Sequence, residues 1–183
     1  EVVTVDIDES TQSTLCENLR KTGCARHTHY VTDALSSAMP SKLLGRHGAF
    51  DLAVCNPPFF RPEWVRSHAD VLRDGMLGDA CRSTKDVTAE ILFISQCLSI
   101  LTDNGQLAVI VPDSIVTTTR FERFRQAILK NHRLLKVVQL PINSFQETDA
   151  LCFILIVGKG EGPTDAVELM NVDAHRTASP AIR

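Results

Sequence analysis

The stretch FDLAVCNPPFF, residues 50–60, joins a strand-like segment to two consecutive prolines. Its first six residues are almost continuously apolar, which is typical of a strand in a sheet that is covered on both faces. Proline lacks a backbone N–H and cannot continue a sheet ladder, so Pro57 and Pro58 end the strand abruptly. The stretch therefore predicts a buried strand whose tip presents Asn56 and Phe59.

Strand-like and helix-like segments alternate on both sides of this stretch. VVTVDI, ARHTHYVT and QLAVIVP resemble strands, while residues 10–22, 87–101 and 119–132 carry helical patterns. Residues 61–86 read as a long polar loop, and TDNG after the second helix reads as its end. LLKVVQLP and ALCFILIVGK are joined by a connection too short for a crossover helix, so these strands should be antiparallel. We therefore predict an α/β fold with a doubly wound, mostly parallel sheet and a C-terminal antiparallel strand.

Composition indicates a soluble globular protein. The chain has 183 residues, of which 44% are hydrophobic and 22% charged, and no apolar run approaches the ~18 residues of a membrane span. Its six cysteines show no CxxC spacing, which favours reduced thiols and a cytoplasmic location. The net charge of −3 provides no overall attraction to nucleic acid, so contact with a polyanion needs a local patch or a partner.

Two hydrogen-bond acceptors are held close together after the strand. A residue before proline is extended and proline fixes its own φ, which stiffens the Asn56 side chain relative to the Pro57 carbonyl. Two such acceptors suit one NH2 group, and Phe59 offers a stacking face for a flat ring. Accepting both N–H groups would aim the nitrogen lone pair at an electrophile without a general base. The alternative is a strand-ending turn with Phe59 in the core.

Carboxylates follow two earlier strands. Asp6 and Asp8 end VTVDID, where a carboxylate can accept from ribose hydroxyls, and Asp33 follows the next strand, within reach of an adenine amino group. Each of them alone is often a helix cap or turn former. Three successive strand ends with suitable groups favour a binding site along one edge of the sheet.

The sequence resembles the S-adenosylmethionine-dependent amino-methyltransferases, in particular N6-adenine DNA methyltransferases of the type I restriction-modification methylase kind. Nearly the whole chain is similar, including LTDNGQLAVIVPDSIV and VVQLPINSFQETDALCFILIVGK. The resemblance implies methyl transfer from S-adenosylmethionine to the N6 amino group of an adenine extruded from duplex DNA. The catalytic motif would be Asn56, Pro57, Pro58 and Phe59.

The resemblance also implies a cofactor site and partners. Asp6 would hold the cofactor ribose, Ile7 would pack on its adenine, and Asp33 would read the adenine amino group. Asp8, at the same strand end as Asp6, is a further candidate cofactor-binding residue. A specificity subunit or a target-recognition domain outside this chain would read the DNA sequence. The same motif also serves adenine-N6 RNA and glutamine-amide protein methyltransferases, and a non-catalytic scaffold subunit is a further alternative.

The sequence departs from the family at its start. The family's first strand and Gly-rich loop, which would precede the ribose-binding acid, are missing, so we expect an N-terminally truncated chain that is inactive alone. VGKGEGP is the alternative location of a displaced loop, although we interpret it as a turn. Residues 1–160 would form the partial catalytic domain and residues 161–183 an extension towards a further region.

Four other features have simpler interpretations. His27 and His29 share a strand face without a third metal ligand, and Cys55 is interpreted as an inert core thiol. Trp64 is a candidate to hold an extruded base, or a packing anchor. The basic segment, residues 120–136, could contact phosphates, but a solvated helix face is the favoured interpretation.

Overall fold

Two compact units, Glu1–Met39 and Pro40–Arg183, make up the fold in a computed structural model of the chain. The structure describes residues 1–59, 75–142, 144–145, 150–162, 166–172 and 178–180. Trp64 lies outside these ranges, so its suggested role stays a sequence-based prediction.

The first unit is a strand–helix–strand motif. Its elements are β1 (Val2–Asp6), α1 (Thr11–Lys21) and β2 (His27–Val31). β1 and β2 are parallel and in register from Val2 opposite His27 to Asp6 opposite Val31. The predicted helix and its stop at Gly23 are confirmed, since Gly23 has φ +79, a conformation that glycine adopts without strain.

The second unit contains a six-stranded sheet in the order β3-β4-β6-β5-β7-β8. The strands are β3 (Phe50–Cys55), β4 (Leu101–Pro112), β5 (His132–Gln139), β6 (Cys152–Lys159), β7 (Glu168–Val172) and β8 (Ala178–Pro180). β3 runs parallel to β4, and β6 runs antiparallel to both β4 and β5, which confirms the predicted antiparallel strand. β7 is parallel to β5 and antiparallel to β8, so the sheet is mixed rather than mostly parallel.

The predicted C-terminal extension contributes strands to this sheet. β7 and β8 lie within residues 161–183, and Lys136 of β5 forms an ion pair with Glu168 of β7 at 2.8 Å. The division of the chain at residue 160 remains a prediction.

The helices of the second unit cover the sheet and its connections. They are α2 (Met39–His47), α3 (Gly75–Ala80), α4 (Ala89–Ile100), α5 (Asp113–Thr117) and α6 (Glu122–Asn131), with 3-10 turns at Thr84–Asp86 and Thr119–Phe121. α4 packs on β3 and β4, and α6 packs on β5. The fully buried side chains include Ile91, Ile94, Val109 and Phe124. No helix in the described ranges combines the length and apolar character that a bilayer crossing requires.

Three local predictions are wrong. The expected polar loop contains α3 and a 3-10 turn, because Leu77 and Cys81 are buried and Ser83 forms a reciprocal capping box with Asp86. α4 ends at Ile100, before TDNG, as predicted, but β4 begins at Leu101 instead of Gln106, so TDNG lies inside the strand. The β3–β4 register shifts beside it, between Phe50 and Leu52.

The third concerns the cover on β3. Leu52 and Val54 are 59% and 73% exposed, whereas the apolar pattern predicted a strand covered on both faces. β3 is the end strand of the six-stranded sheet and α4 packs against it, but the described residues of the second unit leave Leu52 and Val54 uncovered.

Candidate functional site

The end of β3 presents the Asn-Pro-Pro-Phe motif at one edge of the sheet. Cys55, the last residue of β3, lies opposite Val109, and the parallel strand β4 continues to Pro112. The carboxyl ends of β3 and β4 therefore meet at the same edge, where open α/β sheets bind ligands. Asn56 is exposed there while Pro57 is buried, so the buried proline fixes the backbone next to an accessible amide.

A cavity of about 360 Å³ lies beside Phe59. Its volume falls within the ~300–1,000 Å³ range of small-molecule pockets. The lining residues come from three segments: Phe59 after β3, Thr88 and Glu90 around the start of α4, and Ser114, Thr118, Arg120 and Phe121 after β4. Phe59 is 42% exposed, so its ring is available to a ligand instead of filling the core.

Two residues of the cavity wall each carry a buried polar atom that has no hydrogen-bond partner among the described residues. Glu90 and Thr88 are only 5% and 6% exposed, and neither Glu90 Oε2 nor Thr88 Oγ1 has a hydrogen-bond partner in the described part of the chain. A buried polar atom without a partner is costly, and both residues line the cavity, so Thr88 and Glu90 are candidates to bind a ligand. Our sequence interpretation missed both. The only signal was an acid in the first turn of an otherwise apolar helix.

Most of the basic segment is engaged within the protein. Lys130 pairs with Asp79, Lys136 with Glu168, Arg125 donates to the carbonyls of Ile115 and Thr118, and Arg133 donates to Asn104. Arg120 instead lines the cavity, with its guanidinium carbon 4.8 Å from the centre of the Phe121 ring. This arrangement favours a structural role for most of these cations and makes Arg120 the candidate for contact with a ligand.

Cys55 lies directly before the motif but has the environment of an unreactive thiol. Its sulfur is 3.9 Å from the sulfur of Cys97 on α4. The neighbouring Cys97 thiol and burial raise the pKa of Cys55 well above its ordinary value. Because the thiolate is the nucleophile, Cys55 stays protonated and inert at neutral pH.

The first unit brings the candidate cofactor residues to one edge of its two strands. Asp6 lies opposite Val31, so Asp8 and Asp33 both follow the carboxyl ends of adjacent parallel strands. Ile7, between the two acids, is 72% exposed and offers a bare apolar surface.

One oxygen of each of these carboxylates supports its own turn. Asp6 accepts from the Asp8 N–H at 2.9 Å, Asp8 from the Ser10 N–H at 2.9 Å, and Asp33 from the Leu35 N–H at 2.8 Å. The Ser10 hydrogen bonds lower the pKa of Asp8, which therefore stays ionised. A carboxylate has two oxygens and about four lone-pair sites, so a role in the turn leaves capacity for hydroxyl or amino donors. The residues present thus fit a ribose and an adenine.

The histidine pair in the same unit forms a side-chain network. Thr4 Oγ1 lies 2.8 Å from both His27 Nε2 and His29 Nδ1, and Cys16 Sγ lies 3.6 Å from His27 Nδ1. Within the described ranges, no three His, Cys, Asp or Glu side chains are grouped to hold a metal ion. The pair therefore has a structural explanation in its hydrogen bonds across β1 and β2.

Comparison with known proteins identifies the type of chain. The family model described as N-6 DNA Methylase matches residues 7–180. No curated protein matches the sequence.

Solved structures with the same fold include three bacterial proteins. A methyltransferase subunit of a type I restriction-modification system from Streptococcus thermophilus is 18% identical, with a TM-score of 0.68. The match covers 93% of this chain and 42% of that subunit. A modification subunit of a putative type I restriction enzyme from Vibrio vulnificus is 17% identical, with a TM-score of 0.64. The match covers 93% of this chain and 34% of that subunit. A putative class I S-adenosylmethionine-dependent methyltransferase from Listeria monocytogenes is 23% identical, with a TM-score of 0.61. The match covers 93% of this chain and 58% of that protein. The chain therefore spans between about a third and three fifths of the length of these proteins.

Proposed function

Because the chain belongs to the N-6 DNA methylase family, we propose that it carries the methyl-acceptor site of an adenine-specific DNA methyltransferase of a restriction-modification system. The observation that carries this proposal is the cavity beside Phe59 at the edge where Asn56 is exposed. The similarity to type I modification subunits supports a restriction-modification role for the whole protein. It also supports DNA, together with a specificity subunit or target-recognition domain, as partners.

The acceptor adenine would be extruded from the duplex, because its N6 atom is inaccessible inside the base stack. Its ring would stack on Phe59, and its N6 hydrogens would be donated to the Asn56 side-chain oxygen and the Pro57 carbonyl. Pro58 restricts the backbone that follows these acceptors. Holding both hydrogens in this way directs the N6 lone pair at the methyl group, and such alignment lowers the barrier to transfer.

The cofactor in this proposal is S-adenosylmethionine, which supplies the methyl group when it is bound. Asp6 and Asp8 would accept from its ribose hydroxyls, Ile7 would cover a face of its adenine, and Asp33 would accept from its adenine amino group. The described residues contain no Gly-rich loop between a strand and a helix, and Gly160 after β6 adopts φ +96 without a described helix after it.

The proposal is tested with the complete enzyme, including any partner subunits, and cofactor labelled in its methyl group. Duplex DNA, RNA and a glutamine-containing protein are offered separately, and the digested products are analysed by mass spectrometry. We expect label in N6-methyladenine from DNA. Label in RNA or in a glutamine amide would assign a different substrate, and absence of transfer with all three would indicate a scaffold subunit.

A further inference from the structure

We propose that Glu90 accepts the proton that the target amino group releases when it is methylated. The proposal rests on the proposed function, since it assigns a further catalytic residue to the same site. It goes beyond the Asn-Pro-Pro-Phe motif, which contains no titratable side chain.

Glu90 is a carboxylate placed where the substrate ring would bind. It lines the same cavity as Phe59, and only 5% of the residue is exposed to solvent. Its Oε2 atom has no hydrogen-bond partner among the described residues. Because Glu90 lines the cavity, its carboxylate is the group there that can accept a hydrogen from the substrate.

Methylation of a neutral amine creates a proton that must leave. The N6 lone pair forms the new N–C bond, and the C–S bond of the donor breaks with its electron pair remaining on sulfur. N6 then carries two hydrogens, the methyl group and a positive charge. One of these hydrogens leaves its acceptor in the Asn-Pro-Pro-Phe motif, its N–H bond breaks with the electron pair remaining on nitrogen, and the proton passes to the Glu90 carboxylate. The products are the neutral methylated amine and a neutral carboxylic acid, which returns the proton to water after the base leaves.

Glu90 is the suitable base among the lining residues. Thr88, Ser114 and Thr118 contribute hydroxyl groups, which are weak bases, and Arg120 contributes a permanent cation. No other carboxylate lines the cavity in the described part of the chain. Low solvent exposure also strengthens the attraction between the carboxylate and the positive charge that develops on N6.

The test uses the complete enzyme with duplex DNA and compares wild type with Glu90→Gln, Glu90→Asp and Glu90→Ala. Glu122→Gln is the matched control, because Glu122 is an exposed acid in the first turn of another helix, α6. Single-turnover methylation rates are measured together with the dissociation constants for DNA and for cofactor and with the melting temperature.

We expect Glu90→Gln to slow single-turnover methylation by about 100-fold or more, which is the usual contribution of general acid–base catalysis. Both dissociation constants should change by less than about threefold. A tenfold increase in either constant would correspond to ~1.4 kcal/mol of lost contact. Glu90→Asp should retain an intermediate rate, and added formate should accelerate Glu90→Ala but not wild type. Glu122→Gln should match wild type in every measurement.

Two results would overturn the assignment. One is a wild-type single-turnover rate in Glu90→Gln, and the other is a defect confined to the cofactor dissociation constant, which would make Glu90 a cofactor ligand. If Glu90→Gln lowers the melting temperature, the test relies instead on the rate of Glu90→Asp and on the rescue of Glu90→Ala by formate. The proposal is overturned if Glu90→Asp shows no intermediate rate and formate does not accelerate Glu90→Ala. Failure of the proposed function is distinguishable, because wild type itself would then not methylate adenine N6.

Discussion

Phe59 and Glu90 line one cavity, the first from the loop after β3 and the second from the first turn of α4. The aromatic ring provides a stacking surface, and the buried carboxylate provides an acceptor oxygen that no described residue uses. A flat ring that carries an amino group matches both. We therefore interpret the motif as part of a ligand site, in preference to a strand-ending turn with a core phenylalanine.

Replacing Phe59 with alanine should weaken placement of the target base. Loss of base–aromatic stacking costs about 1–3 kcal/mol, so kcat/KM for DNA should fall by about 5- to 150-fold, while the dissociation constant for cofactor should be unchanged. Phe59→Tyr retains the ring and should stay within a few-fold of wild type. A loss of cofactor affinity with normal DNA kinetics would contradict the role assigned to Phe59.

Replacing Cys55 with alanine should leave methylation within about threefold of wild type. The neighbouring Cys97 thiol and burial keep the Cys55 thiol protonated, so it cannot act as a nucleophile. The measurement is the single-turnover rate, combined with a search by mass spectrometry for a covalent adduct between enzyme and DNA. An adduct at Cys55, or loss of transfer by a folded Cys55→Ala variant, would show that the thiol takes part in the reaction.

Acid should destabilise the second unit through His132. Burial and the positive charge of Lys159 lower the pKa of His132 below its ordinary value of 6.5, and its Nδ1 accepts from the Gly160 N–H at 3.4 Å. The stability contributed by the neutral ring is therefore present above pH 6.5 and is lost as pH falls below 6.5 through the lowered pKa. Urea unfolding between pH 7.5 and 5 should show a shallower loss of stability for His132→Gln. An unchanged slope would contradict this assignment.

Gly105 should not tolerate a side chain, whereas Gly45 should. A Cβ atom at Gly105 would lie 3.0 Å from Leu101 Cβ and from the Thr102 carbonyl oxygen, and 3.1 Å from the Phe50 carbonyl oxygen. Since two of these neighbours are backbone atoms, Gly105→Ala should lower the free energy of unfolding by about 1–3 kcal/mol.

Gly45 provides the matched control for this substitution. It lies inside α2, and a Cβ atom added there would have no described atom within 4 Å apart from its chain neighbours and the backbone of its own helix. Gly45→Ala should therefore stabilise the protein by about 0.5–1 kcal/mol. Both free energies are measured by urea denaturation. Equal effects of the two substitutions would contradict the close approach at Gly105.

The sequence predicted those parts of the fold that depend on local patterns. Strand–helix alternation, the glycine stop at Gly23 and the short connection before β6 are all encoded by neighbouring residues, and the structure confirms them. The position of Asn56 at a strand end follows from the two prolines after it. The roles of Asn56, Pro57, Pro58, Phe59 and the three aspartates remain predictions.

The features that were mispredicted depend on contacts between distant segments. Glu90 is inconspicuous in the sequence because its importance arises from a cavity that α4 forms with residues after β3 and β4. The exposure of Leu52 depends on whether another element packs on that face of β3, which an apolar pattern does not specify. TDNG ends the helical pattern of α4, as predicted, yet pairing along β4 extends the strand through it.

The central claim is that the Asn56 side chain holds the adenine amino group for methyl transfer. Its most direct test is the single-turnover formation of N6-methyladenine in DNA by the complete enzyme, comparing wild type with Asn56→Ala. We expect wild type to form N6-methyladenine and Asn56→Ala to be slower by about 100-fold or more, with unchanged cofactor affinity and melting temperature. An undiminished rate for Asn56→Ala would contradict the claim.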